Sequence, residues 1–332
     1  MKTTLTRRPV VLAALSLLLA ASRPAPAQRA SRVARVGILS QGGPPPEGTR
    51  WPVHGIFVDR LRELGWTEGV NLQLEFRYGH STAAGIVAAA GELAALKPDV
   101  LVASGTPGIR ALLDATRTIP IVMAGAGDPV GTGLVASLAR PGGNVTGVSL
   151  LGQEILAKAS GLLHELLPKA RRIDLLGSAV NPANDYFARV WADAVRMLGV
   201  EGRMVIVPHA EDIEPTIAGV RADAIVVLPD PMFVTNPQRL FDACLRRRLP
   251  AATTGGNAYA HGGALLNYSV NFDDLYRQGA VYVDRILRGA NPADTPVEQP
   301  SRYELILNLK TARALGLKLP QSLLLQATEV IE

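Results

Sequence analysis

The sequence predicts an α/β protein made of two similar halves, each a parallel sheet covered by helices. Three observations predict it. Short β-branched runs alternate with helical patterns of about 10–15 residues along most of the chain, which is the mark of βαβ units. The rhythm pauses near residue 149 and starts again, giving two halves without an exact sequence repeat. Polar or glycine-rich tips follow several of the strands, at the ends where open parallel sheets collect ligands.

The first half opens with a buried-type strand, RVGILS at 35–40, and a loop holding three consecutive prolines. Apolar residues at Trp51, Ile56, Phe57, Val58, Leu61 and Leu64 have helical spacing, and Gly65 is placed to end that helix. A strand at 71–78, an alanine-rich helix at 82–96 and a strand at 99–103 follow, and 104–107 (SGTP) opens the next helix. The centre of the half is 120–151, PIVMAGAGDPVGTGLVASLARPGGNVTGVSLL. It reads as a strand at 120–124, an acidic glycine-rich turn, an amphipathic helix at 130–139, a turn and a second strand from 145.

In the second half a helix at 153–167 precedes a strand at 172–176, and a loop and helix at 181–198 precede a strand at 203–207. A short helix at 211–219 leads to the strong strand AIVVLP at 224–229, then a helix at 237–247 and a strand at 250–254. A glycine-rich stretch to 263, a strand at 264–270, a helix at 273–287, a proline-rich crossing at 291–300 and a strand at 303–309 complete the pattern.

Residues 1–27 stand apart. Lys2, Arg7 and Arg8, an apolar run and Ala25-Pro26-Ala27 make a cleaved secretory signal, too short in its apolar part to span a bilayer. The formal charge of +5 includes four cations and no acid in that segment, which leaves about +1 for the rest. A nucleic-acid partner loses its support on that count, and the basic run at 246–248 suits a solvated helix end. Cys244 is the single cysteine, so no intrachain disulfide can form and no cysteine follows the cleavage point to carry a lipid. The chain is expected in the periplasm.

Candidate ligand groups sit at the strand tips. Ser40 and Gln41 follow the first strand, Ser104, Gly105 and Thr106 the third, and Asp128 the fourth. Asn181 and Asn184 follow the first strand of the second half, and Asp230 its third. Hydroxyls at the helix opening beyond 104 would favour a carboxylate, and Asp128 could pair with an ammonium, so together they suit a small zwitterion. Each also has a local role open to it: Ser104, Thr106 and Asp128 as helix caps, Asn181 and Asp230 as turn formers beside prolines. Tyr259 and Tyr268 could stack on a ligand or serve the core.

Catalysis has little to recommend it. Gly125, Gly127 and Gly131 miss the G-x-G-x-x-G spacing, and no phosphate-binding loop, H-E-x-x-H or G-x-S-x-G occurs. His54, His80, His164, His209 and His261 are scattered without metal-ligand spacing, so no metal or cofactor is expected.

Several blocks resemble one family: VGILS at 36–40, KPDVLVASGTP at 97–107, 119–149, ADAIVVLPDPMF at 222–233, 274–300 and ELILNLKTARALGLKLPQSLL at 304–324. They are similar to ABC-transporter substrate-binding proteins of the tryptophan/tyrosine uptake type. The resemblance implies the type I periplasmic-binding-protein architecture, two Rossmann-like lobes with parallel sheets joined by a three-crossover hinge. On that pattern lobe I is 33–148 plus 266–297 and lobe II is 149–265 plus 298–332. It also implies a monomer that binds an amino acid or other small polar solute and hands it to an inner-membrane permease. Ser104, Thr106 and Asp128 would grip from lobe I, Asn181 and Asp230 from lobe II. A ligand-sensing module for a membrane receptor would use the same fold, and the sequence does not separate the two.

Overall fold

The β-branched runs are apolar on both faces, and a sheet covered by helices on both sides is what buries such a run. The structure, a computed structural model, describes residues 33–150 and 152–332, and the expected signal at 1–27 lies outside the described residues. Chain order in the first part is β1 (Ala34–Ser40), α1 (Pro52–Glu63), β2 (Leu72–Tyr78), α2 (Ala83–Ala95), β3 (Val100–Ala103), α3 (Thr106–Ala115), β4 (Ile121–Ala126) and β5 (Val145–Ser149). These strands form one sheet in the order β2-β1-β3-β4-β5, every neighbour parallel.

The second part runs α4 (Gly152–Leu166), β6 (Ile173–Ser178), α5 (Asn184–Leu198), β7 (Met204–Val207), α6 (Ile213–Gly219), β8 (Ala224–Val227), α7 (Pro231–Thr235), α8 (Pro237–Arg246) and β9 (Ala251–Thr253). It continues through α9 (Asn257–His261), β10 (Leu266–Val270), α10 (Phe272–Leu287), β11 (Tyr303–Asn308), α11 (Leu309–Leu315), α12 (Gln321–Gln326) and β12 (Glu329–Ile331). The second sheet has the order β12-β11-β10-β9-β8-β6-β7, parallel except for β10 against β11.

Alternation along β1 sends Val36 and Ile38 to one face and Leu39 to the other. The first pair packs with Phe57 and Leu61 of α1 and with Leu275, Tyr282 and Val283 of α10. Leu39 joins Leu93 of α2 and Ile109 and Leu112 of α3. In the second sheet Leu175 and Val226 face Trp191 and Val195 of α5, while Leu176 and Val227 face Ile217 of α6 and Phe241 of α8. Among the described residues no helix is long and apolar enough to cross a membrane.

Among the described residues the chain passes between the sheets three times. It leaves β5 for α4, it leaves β10 at Asn271, whose side chain accepts from Asp274 N and caps α10, and it enters β11 after Glu298. Glu298 bridges β5 on the way, donating its N–H to Gly147 O and accepting from Ser149 N. Two expectations need correction here. The strand Leu266–Val270, assigned from sequence to lobe I, pairs with Ala252 and Thr253 and so belongs to the second sheet. The chain changes sheet at Asn271, where the apolar face of α10 turns to meet α1 and β4. No helix forms at 130–139 either. Gly131 and Gly133, the latter at φ +69°, follow Asp128-Pro129, and Leu134 and Val135 both donate to Pro129 O in a run of turns.

Gly147 shows how tightly β4 and β5 meet. Its φ is +130°, and a Cβ there would lie 2.3 Å from Met123 O. Gly147→Ala is expected to destabilise the protein by about 3 kcal/mol, through strain and overpacking together. A urea midpoint unchanged from wild type would remove that argument.

Candidate functional site

A parallel strand delivers its last residue and the following helix N-terminus to the same edge of the sheet. At the edge of the first sheet, Gly105 caps α3 at φ +71°, and a Cβ there would lie 2.7 Å from Gln41 Nε2. Gln41 holds this turn with both ends of its amide, donating to Ser104 O and accepting from Gly108 N at 3.1 Å. Gly105 N–H donates to Gly125 O, tying the turn to β4 as well. Ser104 Oγ lies 2.9 Å from the Tyr276 hydroxyl of α10. Thr106 is buried, its hydroxyl 3.6 Å from where a Cβ on Gly127 would stand. Ser40 is partly exposed, and its carbonyl accepts from Gly79 N.

Asp128 follows β4 by two residues and divides its carboxylate. Oδ1 accepts from Gly131 N at 2.9 Å, and Oδ2 accepts from the Tyr186 hydroxyl on α5. The approach needs glycine: a Cβ on Gly131 would lie 2.5 Å from the Tyr186 ring, and one on Gly127 would lie 2.9 Å from the Phe187 ring. Desolvation by burial, and after it the Asp128 carboxylate, raise the Tyr186 phenol well above its usual range, so it stays a donor.

At the edge of the second sheet, Asp230 is buried after β8. It accepts from Ser178 N at 2.7 Å and from Asn181 Nδ2 at 2.8 Å, while Asn181 Oδ1 accepts from Ala183 N at 3.0 Å. Burial pushes the Asp230 carboxyl up to about 6, against the pull of those donors. Asn184 turns back to its own sheet, donating to Ser178 O at 2.8 Å, with Oδ1 over Gly177.

Among the described residues the two edges meet at two places. Gly127, Asp128 and Gly131 receive Tyr186 and Phe187 beside the crossing at Gly152, where Gly127 O accepts from Gly152 N. On the far side, Ser81 Oγ lies 3.1 Å from Thr235 Oγ1 of α7, and a Cβ on Gly42 would lie 3.1 Å from the Thr235 methyl. His80 and Ser81 hold φ of +50° and +57° there, and Gln41 O and Gly42 O accept from their backbone N–H groups. A separate groove of about 320 Å³ opens at the crossings, lined in part by Asn271, Gln278, Glu298 and Arg302, and none of the sequence-predicted residues lines it.

Two tyrosines are corrected. Tyr259 is fully buried, edge-on to Phe241 with its hydroxyl donating to Asp230 O, so it supports the second edge from within the core and has no face to stack on a ligand. Tyr268 stacks on Tyr303 at 5.7 Å, two strands away from β8. Among the described residues no group of three or more His, Cys, Asp or Glu could hold a metal ion.

The family described as ABC transporter substrate binding protein matches residues 49–331. The chain belongs to that family. Its members bind substrates rather than transform them. This substrate-binding protein is 24% identical over 269 residues to a "Tyrosine-binding protein" of Clostridioides difficile (strain R20291), covering 79% of this chain and 76% of that one. Two solved structures are similar at 26% identity. One is a conserved domain protein from Vibrio cholerae, with a TM-score of 0.82 over 90% of this chain and 100% of that one. The other is an ABC domain from Streptococcus pneumonia in complex with L-Trp, with a TM-score of 0.79 over 90% and 99%.

Sequence reasoning about this substrate-binding protein missed Ser178, Tyr186, Phe187 and Tyr276. Ser178 carries the same strand-end signal that singled out Ser40. Tyr276 shares a helical stripe with Ala280, Val283 and Leu287, so its hydroxyl is hidden behind a core pattern. Tyr186 flanks the Phe187, Val190, Trp191, Ala194 stripe of α5, four residues before Val190, so it too reads as part of a core pattern.

Proposed function

We propose that the chain is an exported receptor of an ABC importer, binding one amino acid between two lobes and delivering it to a membrane permease. Lobe I is the first sheet with its helices and α10, and lobe II is the second sheet with the remaining helices. The observation that carries the reading is the meeting of the two strand-end edges, at Asp128 with Tyr186 and at Ser81 with Thr235; on this reading Ser104, Thr106 and Asp128 serve the ligand from one edge and Ser178, Asn181 and Asp230 from the other. The α3 N-terminus and the Ser104 hydroxyl suit a carboxylate, and Asp128 suits an ammonium. The names of the tyrosine-binding relative and the L-Trp complex support an aromatic amino acid, and the signal-like 1–27 segment supports export.

Closure follows the usual logic of such receptors: the ligand favours the closed form only by binding it more tightly than the open one. Titration calorimetry with L-tryptophan, L-tyrosine and the remaining protein amino acids tests the reading. Micromolar or tighter binding of one of them, with compaction in small-angle scattering, is the expected result. Heatless titrations across the whole set would end the amino-acid reading.

A further inference from the structure

The Ser104 hydroxyl can act as a donor to a ligand only if its proton is not engaged elsewhere, and Tyr276 decides that. Tyr276 projects from the first turns of α10, just beyond the crossing at Asn271, and its hydroxyl lies 2.9 Å from Ser104 Oγ. Either group could donate across that contact. A phenol is the more acidic donor and the poorer acceptor, since its lone pair is shared with the ring, whereas an aliphatic hydroxyl oxygen accepts well. The favoured polarity therefore runs from Tyr276 to Ser104. Desolvation holds the Tyr276 phenol above its usual range, so the proton stays in place.

The ring is fixed as well as the proton. His54 of α1 packs against Tyr276 with ring centroids 6.1 Å apart, and Phe76 of β2 packs against His54 at 5.3 Å. His54 is buried, and its ring is pushed down to about 4 by burial and by Arg50, so a neutral imidazole fills the place without adding charge. On the other side of Ser104, its carbonyl accepts from Gln41 and the next N–H donates to Gly125 O, so the backbone that carries the hydroxyl is held too.

We propose that Tyr276 is a positioning residue: it donates to Ser104 Oγ and thereby turns the Ser104 O–H outward, as a donor to the ligand carboxylate. The inference rests on the reading of the cleft as an amino-acid site. It also gives α10, which begins at a crossing between the lobes, a direct line to a ligand-gripping group.

A double-mutant cycle tests it, with calorimetry on L-tryptophan, L-tyrosine and their carboxamides, and thermal unfolding of each variant. Ser104→Ala is expected to weaken the amino acid about ten-fold and Tyr276→Phe roughly three- to ten-fold. Tyr276→Phe in the Ser104→Ala background is expected to change affinity by less than about two-fold, because Tyr276 acts through Ser104. The carboxamides, which lack the anionic acceptor, are expected to respond less to either change. Tyr276→Phe keeps the ring against His54, so the fold is expected to persist, and a fall in melting temperature with unaltered affinity would overturn the proposal. Losses that add in the double variant, or equal losses for acid and amide, would also overturn it while leaving the amino-acid site standing. Failure of the wild type to bind either amino acid or any other in the set would instead overturn the site itself, and this proposal with it.

Discussion

Asp128→Ala is expected to lower affinity for an amino acid by roughly 10- to 100-fold, the range for losing a hydrogen bond to a charged group. The residue has two partners to lose, Gly131 N and the Tyr186 hydroxyl of α5, and the ligand ammonium is the third that we propose for it. Each loss has its own signature. Removing the bond to Gly131 N costs about 0.5–2 kcal/mol of stability, as for a lost cap. Losing the contact to Tyr186 is reproduced by Tyr186→Phe, which is expected to weaken binding by less than Asp128→Ala does. Losing the ammonium partner separates L-tryptophan from indole-3-propionate, which has the same ring and carboxylate without the amine. Calorimetry on that pair is the check. Equal losses for both ligands would leave Asp128 as a turn former that also joins the lobes.

The contribution of Asp230 to stability is expected to rise as pH falls from about 7 towards 4, by up to roughly 3 kcal/mol. The sign follows from the direction of the shift. The folded carboxyl is pushed up to about 6, above its ordinary value near 4, because Asp230 is buried away from water. Between those two values the folded chain holds a proton that the unfolded chain has lost, so acid favours the folded state in that window. Above it the charge is buried at a cost, offset in part by Ser178 N and Asn181 Nδ2. Other carboxylates contribute their own slopes, so the informative quantity is the difference between wild type and Asp230→Asn in urea unfolding across this range. Parallel curves for the two proteins would show that Asp230 does not titrate there.

The strand-end positions were legible because a parallel sheet puts its strand ends on one edge, and strand ends can be read from a run of β-branched residues meeting a polar one. Ser104, Thr106, Asp128, Asn181 and Asp230 were placed at strand ends in that way. Their partners were not, because a partner is chosen by a neighbour far along the chain. Asp128 meets Tyr186 and Ser104 meets Tyr276, separated by 58 and 172 positions. Tyr259 misled for the related reason that a glycine-rich approach looks like a ligand loop, while its ring fills the space beside Gly255 in the core. The stretch at 130–139 misled because its apolar residues have helical spacing, yet Pro129, Gly131 and Gly133 favour turns closed by backbone bonds.

The alternation of strands and helices, the doubling of that pattern and the polar groups at the strand ends are all written in the order of the residues. These depend on residues near one another in the chain: β-branched runs, helical periodicity, glycine and proline. Where the chain changes sheet, that β10 runs against β11, and which polar groups serve the backbone emerged with the packing of the folded chain. Those outcomes depend on which surfaces meet. The apolar face of α10 is buried by α1 and β4, and the short approach of Tyr186 to Asp128 exists because Gly131 has no side chain to prevent it.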